Sequence, residues 1–75
     1  MRGKFDIEVD LNGWLVPMHV EQKGRGIFKV AYEDTILGYL VQNERSRWNY
    51  IHNIFSEGLL NPQTTERISN AIINY

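Results

Sequence analysis

The sequence predicts an α+β domain, an antiparallel β-meander of four to five strands with one C-terminal helix packed on one face. Asn12-Gly13 lies between two alternating apolar and polar runs, which is the strongest short-range signal for a hairpin. Further short apolar segments follow, each separated from the next by turn residues. Asn61-Pro62 then precedes an apolar stripe of helical spacing, which predicts a helix start.

The first hairpin has a register that the sequence itself specifies. Strand 1 covers about 4–11 and strand 2 about 14–21, because a two-residue loop pairs position 11 with position 14. One face then carries eight large apolar residues, namely Phe5, Ile7, Val9, Leu11, Trp14, Val16, Met18 and Val20. The other face pairs Lys4 with Glu21 and Asp6 with His19.

Proline 17 interrupts the ladder of strand 2. In this register its missing N–H points away from strand 1, because Glu8 and Pro17 form a non-hydrogen-bonded pair. Strand 2 is therefore either an edge at Pro17, or its pairing with a third strand is broken there by a bulge.

Two more strands follow in meander order. Residues 22–26 form a polar, glycine-rich connection, 27–32 form strand 3, Glu33-Asp34 is a tight turn, and 35–42 form strand 4. Strand 4 is apolar on both faces, so its register stays open between two alternatives. A two-residue turn aligns Leu37, Tyr39 and Val41 with the apolar face of strand 3, whereas a three-residue turn selects Ile36 and Leu40. Gly38 indicates a bulge or a close neighbour over the backbone.

The last third of the chain contains a turn at 43–46, a fifth strand at 47–51 and the helix. A helix over the same segment is the alternative, because Trp48, Ile51 and Phe55 also fit a helical stripe that Ser46 would cap. We expect irregular chain from Asn53 to Leu60, with Gly58 as its pivot.

The terminal helix is predicted from Pro62 to about Asn74, with Asn61 as its N-cap. Its inward stripe is Ile68, Ala71, Ile72 and Tyr75, and its outward residues are Glu66, Arg67, Asn70 and Asn74. Ile73 falls beside the stripe and is either exposed or widens the contact.

This order of elements resembles that of small uncharacterised bacterial proteins, many from the Bacteroidetes. The residues that carry the resemblance are Asn12-Gly13, Trp48 and Ile68-Ser69-Asn70-Ala71-Ile72. The resemblance implies the same meander with a C-terminal helix, and it implies no activity.

Composition limits the function classes. Seventy-five residues make one domain, residues 1–75, without cysteine for disulfides or a Cys-based zinc site. The net charge of −1 implies no general attraction to nucleic acid or lipid. The start lacks a signal-peptide core, and the longest apolar run, 36–41, is too short to cross a bilayer. We therefore expect a cytoplasmic protein without membrane contact.

The patterns that would carry chemistry have simpler structural explanations. His19 is expected to be a surface partner of Asp6, and a metal site would need both His19 and His52 to converge with carboxylates. No Gly-x-Ser-x-Gly elbow occurs, and Gly24-Arg25-Gly26 lacks the spacing of a phosphate-binding loop. We expect no enzyme, no cofactor and no metal.

Two functional hypotheses remain. In the first, the chain is a protein-interaction or self-associating module, with a homodimer or a protein partner of unknown identity. Five strands span roughly 24 Å, whereas one helix covers about 10–12 Å, so we expect apolar sheet surface to remain open. A fully curled, self-sufficient monomer is the competing interpretation. In the second, Arg45, Arg47, Trp48 and Tyr50, with His52 beside them, bind single-stranded nucleic acid by stacking bases on an open strand.

Overall fold

The protein forms one antiparallel sheet and one helix in a computed structural model that describes residues 3–53 and 61–75. The elements are β1 (Lys4–Leu11), β2 (Trp14–Gly24), β3 (Ile27–Tyr32), β4 (Thr35–Gln42), β5 (Trp48–His52) and α1 (Pro62–Ile73). The strands lie in the order β1-β2-β3-β4-β5, with every neighbouring pair antiparallel. This confirms the predicted α+β meander and its fifth strand, and the helical alternative for that segment is wrong. The irregular connection predicted from Asn53 onwards lies, from residue 54 to residue 60, outside the described residues.

The β1–β2 hairpin has the register that the sequence specifies, from Lys4 opposite Glu21 to Leu11 opposite Trp14. Asn12 and Gly13 both have positive φ, 54° and 92°, as a type I′ turn requires. The carboxylate of Asp10 accepts a hydrogen bond of 2.8 Å from the Gly13 N–H, which closes the turn. The hairpin is therefore fixed by local chemistry.

The second connection is tighter than the sequence indicates. Strand β2 continues to Gly24 through a register shift between Gln22 and Gly24, so only residues 25 and 26 form the turn into β3. Pairing between β2 and β3 begins at His19, opposite Ala31. Pro17 therefore lies on a part of β2 that has no partner from β3, and the edge alternative for Pro17 is correct.

Strand β4 follows neither of the two predicted registers. The turn from β3 has two residues, but pairing shifts between Val30, opposite Gly38, and Ala31, opposite Ile36. Leu37 is the extra residue of this bulge, so Leu37 and Leu40 are both buried although their spacing is odd. Alternation alone could not predict this, because the bulge changes which face the strand presents.

Helix α1 begins as predicted. The side chain of Asn61 accepts a hydrogen bond of 2.8 Å from the Thr64 N–H, and Pro62 opens the first turn. Ile68 and Ile72 are buried, and the four residues predicted to face outward are exposed. Ile73 is exposed as well. No helix within the described residues is long and apolar enough to cross a membrane.

Two aromatic residues differ from their expected burial. Tyr75, placed on the inward stripe, has 62% of its surface exposed, although its ring stacks on Phe5 at 4.2 Å between centroids. Trp14, placed on the inner face of the hairpin, is 76% exposed. Trp14 lies next to the hairpin turn, and Tyr75 follows the last turn of α1, so both lie at the periphery of the core.

The core lies between the sheet and α1. Its buried members are Ile7, Val9, Met18, Val20, Val30, Leu37, Leu40, Ile68 and Ile72. The helix contacts both β1 and β5, which are the two outermost strands. A flat sheet of this width could not place both under one helix, so the sheet is curled. The middle of the inner face is covered, whereas Trp14 and Tyr32 at one end of it stay exposed.

The first prediction concerns the hairpin turn. Gly13→Val forces a β-branched residue to φ 92° and should lower the free energy of unfolding by about 1–3 kcal/mol. Gly3→Val is the matched control, because a side chain at Gly3 meets nothing within 4 Å. Chemical denaturation followed by circular dichroism measures both. Equal midpoints for the two variants would contradict the turn assignment.

The second prediction concerns the bulge in β4. A Cβ added at Gly38 would lie 2.8 Å from the Tyr50 hydroxyl and would also meet the Ile51 carbonyl. Gly38→Ala should therefore destabilise the fold by about 1–3 kcal/mol through overpacking. Gly24→Ala, whose Cβ would make only an ordinary contact of 3.6 Å, should change stability little. If Gly38→Ala is no less stable than Gly24→Ala, the close packing over β4 is wrong.

Candidate interaction surface

The segment proposed for nucleic-acid binding begins in an exposed turn. The side chain of Asn43 organises this turn, because its Oδ1 accepts hydrogen bonds from the Arg45 N–H (2.9 Å) and the Arg47 N–H (3.0 Å). Ser46 has positive φ, 63°, and both arginines are exposed. The structure therefore brings Arg45 and Arg47 together at one end of the sheet.

The aromatic residues of that segment face the core instead. Trp48 packs against Phe28, with ring centroids 5.9 Å apart, and is half-buried. Tyr50 also packs against the core, and its ring lies over Gly38. On β5 the exposed positions are Asn49 and Ile51. Trp48 and Tyr50 share one face, as predicted, but that face is the inner one and offers no open platform to a base.

Two residues of β5, Tyr50 and His52, each bury a polar atom. The rings of Tyr50 and His52 meet edge to face at 5.3 Å. Within the described part of the chain, neither the Tyr50 hydroxyl nor Nδ1 of His52 has a hydrogen-bond partner. Burial raises the pKa of Tyr50 to about 12, so its hydroxyl stays protonated at neutral pH. This pair therefore acts by packing, with the tyrosine ring filling the space above a glycine.

His19 has the surface role that the sequence predicts. Its Nδ1 lies 2.8 Å from Oδ1 of Asp6, across the β1–β2 ladder, and both side chains are largely exposed. His52 lies on another strand, so the two histidines do not converge. Within residues 3–53 and 61–75 no group of three or more potential metal ligands occurs.

Among the described residues, the two most exposed large apolar side chains, Trp14 and Leu15, lie at the other end of the sheet, at the tip of the first hairpin, and Tyr32 ends β3 nearby. Trp14 is 76% exposed, Leu15 66% and Tyr32 40%. Next to them is an apolar groove of about 240 Å³, lined by Leu11, Val16, Met18, Tyr32 and Leu37. We call Trp14 and these five lining residues the apolar end; Leu15 points to the opposite face of β2. Large apolar side chains around a groove are the usual composition of a docking site.

The apolar end exists because the first hairpin is longer than its neighbour. Strand β2 starts at Trp14, whereas its pairing with β3 starts only at His19. The hairpin therefore projects past the β3–β4 turn by about four residues, or roughly 13 Å. Leu37, the extra residue of the β4 bulge, turns its side chain into the space that this mismatch leaves.

Helix α1 does not provide apolar cover here. Its direction is opposite to that of β1, because Arg67 contacts Asp10 whereas Tyr75 contacts Phe5. The residues that continue past Asp10 towards the apolar end, 62–66, include no large apolar side chain. Nη1 of Arg67 donates a hydrogen bond of 2.7 Å to the Asp10 carbonyl, so this part of the interface is polar.

Charge differs between the two ends of the sheet. At the apolar end the β3–β4 turn carries two carboxylates, Glu33 and Asp34, and Asp10 adds a third near the end of β1, close to Arg67 of α1. The turns at the opposite end carry the cations Arg25, Arg45 and Arg47 and the acid Glu44, and Lys23 near the end of β2 pairs with Glu21. Although the net charge is only −1, acidic residues predominate at one end of the sheet and basic residues at the other.

The sequence analysis expected open apolar surface on the face that carries Trp14, but it did not indicate which part of that face stays open. Two signals were nevertheless present. Pro17 indicated an unpaired edge, and the alternating run 14–21 was longer than strand 3 at 27–32. Together they indicate a hairpin that extends beyond its neighbour.

Comparisons with protein-family models, with curated proteins and with solved structures found no match. The resemblance to small bacterial proteins stays a prediction.

The third prediction separates the core role of Trp48 from a nucleic-acid role. Trp48→Ala should lower the free energy of unfolding by about 2 kcal/mol, because it removes a half-buried ring from Phe28. Arg47→Ala, in the exposed turn, should leave stability unchanged. Denaturant unfolding measures this, and the anisotropy of a short fluorescent oligonucleotide at low salt tests binding. Stable variants that both lose salt-dependent oligonucleotide binding would contradict the core role.

Proposed function

We propose that this chain is a non-enzymatic interaction module that self-associates or docks on a protein partner through its apolar end. The observation that supports the proposal is the 76% exposure of Trp14, whose cross-strand neighbour Leu11 lines an apolar groove. Small proteins rarely expose contiguous large apolar side chains unless these contact another molecule. Tryptophan is also the residue type most enriched among residues that dominate binding energy.

The magnitudes indicate a weak or moderate interaction. A tryptophan buries about 150–250 Å², so covering the exposed part of Trp14 contributes about 4 kcal/mol at roughly 25 cal/mol per Å². Association costs about 4 kcal/mol or more in lost freedom of motion. Trp14 alone would therefore give almost no affinity, and the groove with Tyr32 must contribute the rest. We expect dissociation constants in the micromolar range.

Single-stranded nucleic-acid binding through Arg45, Arg47, Trp48 and Tyr50 has less support. The arginines lie in an exposed turn, but both rings pack inward. Base stacking would need at least one ring face open to solvent.

The fourth prediction tests the apolar end directly. Sedimentation velocity at tens of micromolar should show self-association of the wild type. If the protein is instead monomeric, a peptide-display selection against it should yield binders. Trp14→Ser should abolish whichever interaction is found. Ile51→Ser is the matched control, because Ile51 is 53% exposed on the outer face of β5, opposite to the face that carries the groove. A monomer that selects no Trp14-dependent binder would overturn the proposal.

A further inference from the structure

The hairpin arm presents unpaired backbone groups beside the groove. The two-residue turn makes Leu11 and Trp14 a hydrogen-bonded pair, so alternate residues of β2 direct their backbone groups away from β1. These residues are Leu15 and Pro17 in the projecting part of β2. Within the described residues, pairing on that side begins only at His19. The N–H and C=O of Leu15 and the C=O of Pro17 are therefore free to bind an added strand.

The groove lies where alternate side chains of such a strand would point. Val16 and Met18 line it from β2, and Tyr32 and Leu37 line it from the far side. Successive side chains of a strand point to opposite faces, so every second residue of an added segment would enter the groove. The unpaired stretch is about four residues long, which suits a short extended peptide. The groove has a volume of about 240 Å³, which is enough for about two aliphatic side chains.

Charge decides which extended segment fits. The β3–β4 turn beside the groove carries Glu33 and Asp34. Asp10 lies near the end of β1 on the other face of the sheet, and the nearby cation, Arg67, donates to the Asp10 carbonyl. A partner with lysine or arginine between its apolar residues is therefore attracted. A second copy paired through the same edge would bring the same acidic side chains and no complementary cationic turn, and Pro17 would lack its N–H in both copies.

We propose that the apolar end binds an extended peptide segment of alternating apolar and basic residues, which adds as a strand beside residues 14–17 of β2. This inference rests on the proposed function and specifies the chemistry of its partner. The backbone of Leu15 and Pro17 supplies the hydrogen bonds, the groove takes the apolar side chains, and the acidic turns attract the basic ones.

The fifth prediction compares two fluorescein-labelled synthetic peptides by anisotropy. One alternates lysine and valine, and the other alternates glutamate and valine, with the same length and the same apolar content. The wild type should bind the lysine peptide at least about tenfold more tightly, and the difference should shrink as salt is raised. Equal affinities would overturn the role assigned to the acidic turns.

Protein variants test the remaining parts. Pro17→Val restores a backbone donor on the free edge, so affinity for the lysine peptide should rise about two- to tenfold, the value of one hydrogen bond. Trp14→Ser, and Glu33→Gln combined with Asp34→Asn, should each weaken binding about tenfold. Ile51→Ser should leave binding unchanged. Thermal midpoints establish that every variant is folded. Unchanged or weaker binding in Pro17→Val would overturn strand addition.

The outcomes also separate this inference from the proposed function. A wild-type dimer that Trp14→Ser dissociates, without binding of the lysine peptide, would make a second copy the occupant and overturn the inference alone. Trp14-dependent binding of both peptides with equal affinity would also overturn only the inference. Absence of self-association, of displayed binders and of peptide binding would overturn both.

Discussion

The contact of helix α1 with both outer strands is the constraint on which the rest of the structure depends. It requires the sheet to curl, and the curl lets Ile68 and Ile72 complete a core that reaches from β1 to β5. A chain of 75 residues has little apolar surface to bury. Curling lets one short helix cover apolar side chains from both outer strands. The helix has two buried residues, however, and its first turns are polar. Complete burial is therefore confined to the middle of the sheet.

The curl depends on two irregularities in pairing, at Gln22–Gly24 in β2 and at Leu37 in β4. Bulges of this kind increase local twist and bend a strand. Gly38 makes the second one compatible with close packing, because only a residue without a side chain leaves room for the Tyr50 ring. The buried hydroxyl of Tyr50 has no partner within the described residues, so the ring is held there by packing. The same bulge turns Leu37 towards the groove, and thus links the curl to the proposed site.

Features fixed by near neighbours could be predicted from the sequence, and features fixed by distant ones could not. The Asn12-Gly13 turn and the Asn61 cap depend on residues within a few positions, and both are confirmed. The register of β4 depends on a bulge that tertiary packing creates, so alternation left it open. The exposure of Trp14 depends on where β3 ends and on which helix residues lie above it. Alternation assigns a residue to a face, but it cannot tell whether anything covers that face at that point.

Pro17 connects the stability of this fold with its proposed activity. An exposed strand edge beside apolar side chains favours uncontrolled pairing between copies, and proline on an edge is a common defence because it removes a donor. Here the proline removes one donor but leaves the carbonyl of Pro17 and both backbone groups of Leu15. The acidic turns add repulsion between copies without repelling a basic partner. This edge therefore disfavours pairing with a second copy of the chain but can still pair with a basic segment. Such an edge favours selective strand addition over aggregation.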